Sequence, residues 1–139
     1  MNTVYIRELL DFTGRDPFFR WMDLEGPITK EEVLVYSKKH KDIELGDDYI
    51  WDEHSKKTNK TLREIHIHKI AYFLQNEQES PIVIDSNCEG IVLDGSHRLC
   101  AAIIKNKKRI PVIWQGDWKE IKNIFPRSVK LYLLDKDEN

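Results

Sequence analysis

The sequence predicts an α/β (α+β) fold, because patterns typical of helices alternate with patterns typical of strands along its 139 residues. Capping boxes, in which a threonine precedes a glutamate by three residues, begin at Thr29 and Thr61 and indicate two helix starts. Short apolar runs at residues 81–85 and 109–114 indicate strands. Between these runs, a third apolar segment turns through Gly95 directly into a helical pattern, which completes the alternation.

The composition bounds the class of protein. Hydrophobic residues make up 40% and charged residues 33% of the chain, which suits one packed core and a single domain over residues 1–139. The net charge of -2 argues against binding nucleic acid over the whole surface. Lysine-rich clusters near residues 38–41, 56–60 and 105–109 are expected to be solvated faces, and a local basic patch that contacts DNA is the alternative.

The sequence predicts a cytoplasmic protein with no membrane partner. Arg7 and Glu8 stand where a signal peptide needs an apolar run, and no segment reaches membrane-spanning length. Cys88 and Cys100 fit neither a disulfide framework nor the spacing of metal ligands, so we expect no metal site built on cysteine. The oligomeric state is left open.

The N-terminal part predicts a strand over residues 3–6 and helical turns over residues 7–12, with Gly14 as a helix stop. An aromatic cluster follows at residues 18–22, for which we expect packing onto the core, with a base-stacking or partner surface as the alternative. Its members are Phe18, Phe19, Trp21 and Met22. The capping box at Thr29 predicts a helix that ends near His40.

A polar, lysine-rich segment at about residues 42–60 is predicted to be a surface insertion. The second capping box then opens a helix whose apolar residues, including Ile67 and Ile70, recur at helical spacing. His66 and His68 lie about 200 degrees apart around that helix at 3.6 residues per turn, so they cannot share one metal ion. We expect one of them to be exposed and the other packed.

The C-terminal part predicts a hairpin from strands at residues 81–85 and 91–93, and a buried strand at residues 109–114. Asn106 is expected to end the intervening helix in a left-handed conformation. Asp117 is predicted to cap a short helix over residues 118–124. Two remaining segments are less determined by their pattern. Residues 129–134 fit a strand or a helix, and residues 135–139 are expected to be a frayed tail.

The turn at residues 94–98 is the candidate site. A strand that turns through glycine into a helix directs several backbone amides and the positive end of the helix dipole at one point, which attracts phosphate. Arg98 adds a bidentate donor, and His97 adds a donor that exchanges protons near neutral pH. Gly95 permits a tight turn and close approach by a ligand, and Ser96 offers its amide and hydroxyl to phosphate or caps the helix itself.

Asp94 has two interpretations of equal weight. Its carboxylate could accept a proton from an attacking hydroxyl or hold Mg²⁺, as phosphoryl transfer requires, or it could cap the helix. Arg98 could likewise bind phosphate, or it could form a weak surface ion pair with Asp94 or Glu89. A second catalytic acid could come from the N-terminal part, where no motif selects among Glu25, Glu31 and Glu32.

This order of elements resembles the ParB/sulfiredoxin superfamily. The resemblance rests on a helix followed by Pro81-Ile-Val-Ile, a short turn, Ile91-Val-Leu-Asp-Gly-Ser-His-Arg-Leu-Cys-Ala-Ala, a lysine-rich break and Ile110-Pro-Val-Ile. It covers residues 61–114, and residues 4–10 loosely. It implies a small domain with a mixed sheet flanked by helices, which holds nucleotide phosphates at the strand-to-helix turn.

Members of this superfamily differ in chemistry. Sulfiredoxins carry a reactive cysteine where this chain has Ser96, and a hydroxyl cannot form their thiosulfinate intermediate, so we do not expect sulfiredoxin activity. Chromosome-partitioning ParB proteins have Gly-Glu-Arg-Arg at the turn, of which this chain keeps only the ends, Gly95 and Arg98. Free-serine kinases look closer, because they share the Asp-Gly-x-His-Arg form of the turn.

Three functions follow from these expectations. The first is a phosphotransferase or phosphohydrolase that uses ATP, ADP or CTP with Mg²⁺, with Asp94 and His97 as catalytic residues and residues 95–98 as the phosphate-binding group. The second is a ParB-like regulatory module that binds a nucleotide or associates with DNA without catalysis. The third is an interaction or inhibitor protein that keeps only the fold.

Overall fold

The computed structural model describes residues 2–13, 26–44, 61–76, 80–87 and 91–138. Within these ranges, it describes only the backbone of Leu62, Leu93, Asp94 and residues 135–138. The chain divides into two compact units. The sheet unit contains Met1–Pro17 and Glu79–Asn139, and the helix unit contains Phe18–Gln78. The single domain that the sequence predicts over residues 1–139 stays a prediction. The aromatic cluster at residues 18–22 and the helix stop at Gly14 lie outside the described residues.

The sheet unit is built on four strands: β1 Thr3–Tyr5, β2 Ile82–Asp85, β3 Val92–Asp94 and β4 Arg109–Gln115. Their order is β1-β4-β2-β3. β1 and β4 pair antiparallel, β2 and β3 pair antiparallel, and β2 and β4 pair in parallel. The sheet is therefore mixed, and the predicted α+β class and the β2–β3 hairpin are confirmed.

Six helices are described in the two units: α1 Ile6–Thr13, α2 Lys30–Lys39, α3 Leu62–Gln75, α4 Ser96–Ile104, α5 Trp118–Ile124 and α6 Pro126–Glu138. Ile6 begins α1 instead of ending β1, and its amide donates to Lys108 O at 2.9 Å. α2 and α3 belong to the helix unit, and the other four belong to the sheet unit.

The core of the sheet unit lies on one face of its sheet. Alternating residues of the strands and the inner residues of α4, α5 and α6 form one buried cluster, which includes Val4, Ile82, Ile84, Ile110, Val112, Leu99, Ile121, Phe125 and Val129. The other face is less covered, since Ile113 remains 46% exposed. The prediction that residues 109–114 are buried throughout is therefore wrong, because an apolar run does not reveal how many faces are covered.

α6 decides the segment that the sequence left open. Residues 129–134 are helical, and the helix continues to Glu138. The predicted frayed tail is therefore wrong for residues 135–138, because each further residue of an established helix adds a hydrogen bond at little entropic cost. Asp117 caps α5 as predicted, since its Oδ1 accepts from Lys119 N at 2.8 Å.

Glu8 of α1 stabilises the start of α6. Its Oε2 accepts from Arg127 N at 2.9 Å, and its Oε1 accepts from Ser128 N at 3.0 Å and from Ser128 Oγ at 2.7 Å. Ser128 Oγ also accepts from Tyr5 N at 2.9 Å, so this fully buried hydroxyl both donates and accepts. The positive end of the helix dipole also stabilises a carboxylate at this position.

α4 ends as the sequence predicts. Asn106 has a φ of 58 degrees, in the left-handed region. Asn106 N donates to Ile103 O and Lys107 N donates to Ala102 O, both at 3.0 Å, which is the hydrogen-bond pattern of a Schellman motif. Asparagine occupies this position at lower cost than most residues other than glycine.

The helix unit has its own small core, formed by residues of α2 and α3 and of the segments beside them, namely Ile28, Val33, Ile43, Ile65, Ile67, Ile70 and Ala71. The capping box of α2 is complete, because Thr29 Oγ1 accepts from Glu32 N and Glu32 Oε1 accepts from Thr29 N. Thr61 Oγ1 accepts from Glu64 N at 3.2 Å at the start of α3. Ile43 is buried although it lies within the predicted insertion, and residues 45–60 are outside the described part of the chain.

Candidate functional site

The turn from β3 into α4 has the predicted form. β3 ends at Asp94, and Gly95 is the N-cap of α4 with φ 105 and ψ 20 degrees. The first hydrogen bond within the helix runs from Leu99 N to Gly95 O at 2.9 Å. The amides of Ser96, His97 and Arg98 precede this bond, at the positive end of a nine-residue helix.

Gly95 is required by the packing of its own unit. A Cβ atom built on it would lie 2.4 Å from Ile82 Cγ2 and 2.8 Å from Ile82 Cβ. Its positive φ also disfavours any residue with a side chain. Ile82 of β2 therefore approaches Gly95 closely, and this glycine serves the fold whether or not a ligand binds, while the predicted close approach by a ligand stays a prediction.

The structure settles one of the two capping expectations, the one for Ser96. The N-cap is Gly95, so the interpretation of Ser96 as the cap is wrong, and Ser96 is the first residue of the helix. Gly95 takes the cap position because the turn needs a left-handed residue there. The backbone of Asp94 pairs with Val83 of β2. The side chain of Asp94 lies outside the described part of the structure, so both of its interpretations stay predictions.

Arg98 is anchored to the strand before it. Its Nη1 donates to Ser80 O at 2.8 Å and to Pro81 O at 2.9 Å, which joins the first turn of α4 to the segment that enters β2. This contact was not among the sequence expectations, which considered a phosphate or an acidic partner. Glu89, one of those acidic partners, lies outside the described residues. The contact fixes the guanidinium beside the helix start.

His97 lies half-buried in the first turn of α4, between Ser96 and Arg98, and the binding role predicted for residues 95–98 stays a prediction. The candidate second acids belong to the helix unit, and Glu25 lies outside the described residues. Glu31 is exposed on α2.

Glu32 has a structural role. Arg63 Nε donates to Glu32 Oε2 at 3.1 Å, and its Nη1 and Nη2 donate to Gly26 O and Pro27 O at 2.8 and 3.0 Å. Burial alone would raise the pKa of Glu32, but hydrogen bonds from Arg63 and Thr29 and the charge of Arg63 outweigh it and lower the pKa from 4.5. A carboxylate held ionised in this way is a poor general acid or base near neutral pH.

The histidines of α3 differ from expectation. His66 and His68 are both half-buried, instead of one exposed and one packed. The Nδ1 of His68 lies 2.6 Å from Tyr36 Oη, and its Nε2 lies 3.1 Å from Glu44 O. Because the carbonyl only accepts, Nε2 carries a proton. His68 therefore connects α2, α3 and the segment that follows α2.

Two basic clusters lie at helix ends. Lys38 and Lys39 occupy the last turn of α2, and Lys105 to Arg109 follow the last turn of α4, at the end opposite the candidate turn. Cations at helix C-termini complement the helix dipole. Among the residues that the structure describes, no group of three or more potential metal ligands is found, and no helix has the length and apolar character needed to cross a membrane.

Sequence reasoning missed two features of the sheet unit, the cap that Glu8 provides for α6 and an aromatic cleft at Trp114, Trp118 and Tyr132. Proline at residue 126 and serine at residue 128 signal a helix start, but nothing local identifies Glu8 as its partner. When the chain is compared with family models, with curated proteins and with solved structures, none of them matches. The resemblance to the ParB/sulfiredoxin superfamily therefore stays a prediction.

Proposed function

We propose that the turn at residues 94–98 binds the phosphate groups of a nucleotide. The observation that carries this proposal is the geometry of the turn, where a left-handed Gly95 starts α4 and three amides precede the first intrahelical hydrogen bond. Backbone amides at a helix start bind anions through their hydrogens and through the dipole. The resemblance of residues 61–114 to the ParB/sulfiredoxin superfamily supports the same site.

Arg98 would contribute a fixed positive charge to the phosphate site. Its Nη1 donates to the carbonyls of Ser80 and Pro81, which holds the guanidinium beside the start of α4. The positive charge of a guanidinium attracts phosphate, and its fork of N–H donors suits a phosphoryl group. Anchoring also reduces the side-chain entropy that binding would otherwise cost.

The reaction we propose is phosphoryl transfer or phosphate hydrolysis with ATP, ADP or CTP and Mg²⁺. Asp94 would accept the proton of the attacking hydroxyl or hold the metal, and His97 would donate to the phosphate or protonate the leaving group. Ser96 stands at the position of the sulfiredoxin cysteine, so the proposal does not include sulfiredoxin chemistry. A ParB-like module that binds the nucleotide without turnover would use the same turn.

A thermal-shift titration with ATP, ADP and CTP, each with Mg²⁺, tests the proposal. A ligand that binds only the folded state stabilises it by about 2.7 kcal/mol at one hundred times its Kd. We expect one nucleotide to raise the Tm of the wild type. Arg98→Lys and His97→Ala should reduce that shift, and Arg7→Ala, on the exposed surface of α1, should keep it.

The variants are compared by the rise in Tm that each nucleotide causes, because Arg98 substitutions also lower the Tm without ligand by removing contacts to Ser80 and Pro81. Absence of a shift with all three nucleotides, or an equal shift in every variant, overturns the proposal.

Asp94→Asn then separates the two forms of the function. An enzyme loses product formation in this variant and keeps binding, whereas a binding module forms no product even as the wild type. A salt-sensitive gel shift with DNA would favour the DNA-associated form.

A further inference from the structure

The sheet unit contains an open cleft of about 430 Å³ at the end of β4. This volume falls within the range of small-molecule sites in proteins. Its lining comes from β4, from α5, from α6 and from the one residue that precedes β1. The lining residues are Asn2, Val112, Ile113, Trp114, Trp118, Tyr132 and Leu133. None of residues 94–98 is among them, so the cleft is separate from the turn discussed above.

Three aromatic rings form the wall of this cleft. Trp114 and Trp118 have ring centroids 6.2 Å apart at 70 degrees, and Trp118 and Tyr132 have centroids 5.8 Å apart at 81 degrees. Behind them, Trp114 packs on Phe125 in the core with a centroid distance of 5.6 Å. Trp114 is therefore held from the core side, and the three rings that line the cleft meet one another at steep angles.

One of the three rings carries a buried polar group that lacks a partner. Trp114 Nε1 is buried and has no hydrogen-bond acceptor in the structure. A buried N–H without an acceptor costs about 1–3 kcal/mol, and most such groups in folded proteins are paired. An indole N–H can only donate, so what satisfies it must bring an acceptor atom.

The described lining of the cleft is uncharged. None of its seven residues carries a charge. An ionised ligand group would therefore gain no counter-ion from these seven side chains in return for its lost hydration.

We propose that this cleft binds a neutral, planar aromatic molecule that carries a ring carbonyl or ring nitrogen as acceptor. The ring stacks on Trp118 with its edge toward Tyr132, and the acceptor takes the hydrogen of Trp114 Nε1. Because Nε1 is buried, the acceptor reaches it only when the side chains around Trp114 rearrange. The proposal does not depend on nucleotide binding at residues 94–98.

The test uses the indole N–H signals of the full chain, labelled with ¹⁵N, titrated with 2-quinolone. The chain has four tryptophans, and Trp114→Phe assigns the signal of Trp114 by its loss. We expect the Trp114 proton to move downfield and nuclear Overhauser contacts to appear between 2-quinolone and the rings of Trp118 and Tyr132. Loss of one hydrogen bond in Trp114→Phe should weaken binding by about five- to tenfold.

Phe12→Leu serves as the control, because Phe12 is half-exposed in the same unit and does not line the cleft. Its affinity for 2-quinolone should equal that of the wild type. The proposal is overturned if millimolar 2-quinolone leaves the Trp114 signal unmoved, if Trp114→Phe binds as tightly as the wild type, or if phenyltrimethylammonium binds more tightly. The contacts measured on the wild type keep the test valid if Trp114→Phe does not fold.

Discussion

The starts of α4 and α6 show two ways of beginning a helix in the same unit. At α6, Pro126 has no N–H, and the amides of Arg127 and Ser128 donate to Glu8. At α4, the N-cap is Gly95, which has no side chain to accept from the first amides. α6 is thus capped by a residue more than one hundred positions away, whereas α4 starts at a turn shaped by backbone conformation.

This difference separates a stabilising contact from a candidate site. The Glu8 carboxylate accepts hydrogen bonds from two amides and a buried hydroxyl at the start of α6, so it occupies the place that an external anion would need. A glycine cap supplies shape and close packing but no acceptor of its own. If the comparison is correct, substitutions at α6 should affect stability alone, and substitutions at α4 should affect both stability and phosphate binding.

The largest effect is expected at Gly95. Gly95→Ala combines a left-handed backbone, about 1–3 kcal/mol, with overpacking against Ile82, about 1–3 kcal/mol, so the free energy of unfolding should fall by about 2–6 kcal/mol. Gly26→Ala is the matched control, since Gly26 has a φ of 97 degrees and nothing within 4 Å of an added Cβ. It should show the backbone cost alone. Urea denaturation measures both, and equal losses would contradict the packing role of Gly95.

The next largest effect is expected at Glu8. Glu8→Ala removes the acceptor for two amides and leaves the buried Ser128 hydroxyl without its acceptor, so the free energy of unfolding should fall by about 2–3 kcal/mol. Glu8→Gln keeps a neutral acceptor and should lose less. Asp11→Ala, exposed on the same helix, should change stability by less than about 0.5 kcal/mol. A change in nucleotide-induced shift in Glu8→Ala would argue against separate roles for the two helix starts.

α2 begins in a third way, because side chains at its own start cap it. The contribution of this cap to the free energy of unfolding should depend on pH. The pKa of Glu32 is lowered in the folded state, so its contribution to stability is present above the unfolded value near 4.5 and is lost as the pH falls through the lower folded value. Glu32→Gln should flatten the stability profile in that acidic window. Arg63→Ala should raise the pKa of Glu32, as followed by NMR titration, and an unchanged pKa would exclude the ion pair as its cause.

The smallest effect is expected at the other end of α4. Asn106→Gly should leave stability unchanged or raise it by about 0.5 kcal/mol, because glycine adopts the left-handed region freely. Asn106→Ala should cost about 1 kcal/mol. The ligand-induced shift should not change in either variant, since this end of the helix is remote from its amides. A lost shift would show that the two ends of α4 are coupled.

Much of the fold could be predicted from the sequence, because the signals that define its elements are local. Thr29 and Glu32 lie within one turn of each other, Asp117 accepts from the amide two residues after it, and Asn106 donates to the carbonyl three residues before it. The hairpin follows from two apolar runs joined by a short turn. Residues 129–134 could not be assigned, because the packing of α6 on β1 and its cap from Glu8 decide their conformation.

The site could be predicted only in outline. The sequence placed Gly95, Ser96, His97 and Arg98 in one turn, and the structure has that turn. It could not show that Gly95 is packed against Ile82, or that Arg98 donates to Ser80 and Pro81, because those residues precede the turn by 13 to 18 positions and reach it through sheet pairing. The cleft at Trp114 joins still more distant parts of the chain, because Asn2 and Tyr132 both line it.

The sequence by itself determined where most of the helices and strands lie, because capping, turn and periodicity signals act over a few residues. Only the tertiary structure decided which face of the sheet is covered, what fills the space beside Gly95, and which donor and acceptor meet at α6. Those outcomes depend on contacts between residues far apart in the chain, whose closeness is fixed by the packing of the whole unit and leaves no mark on any local pattern.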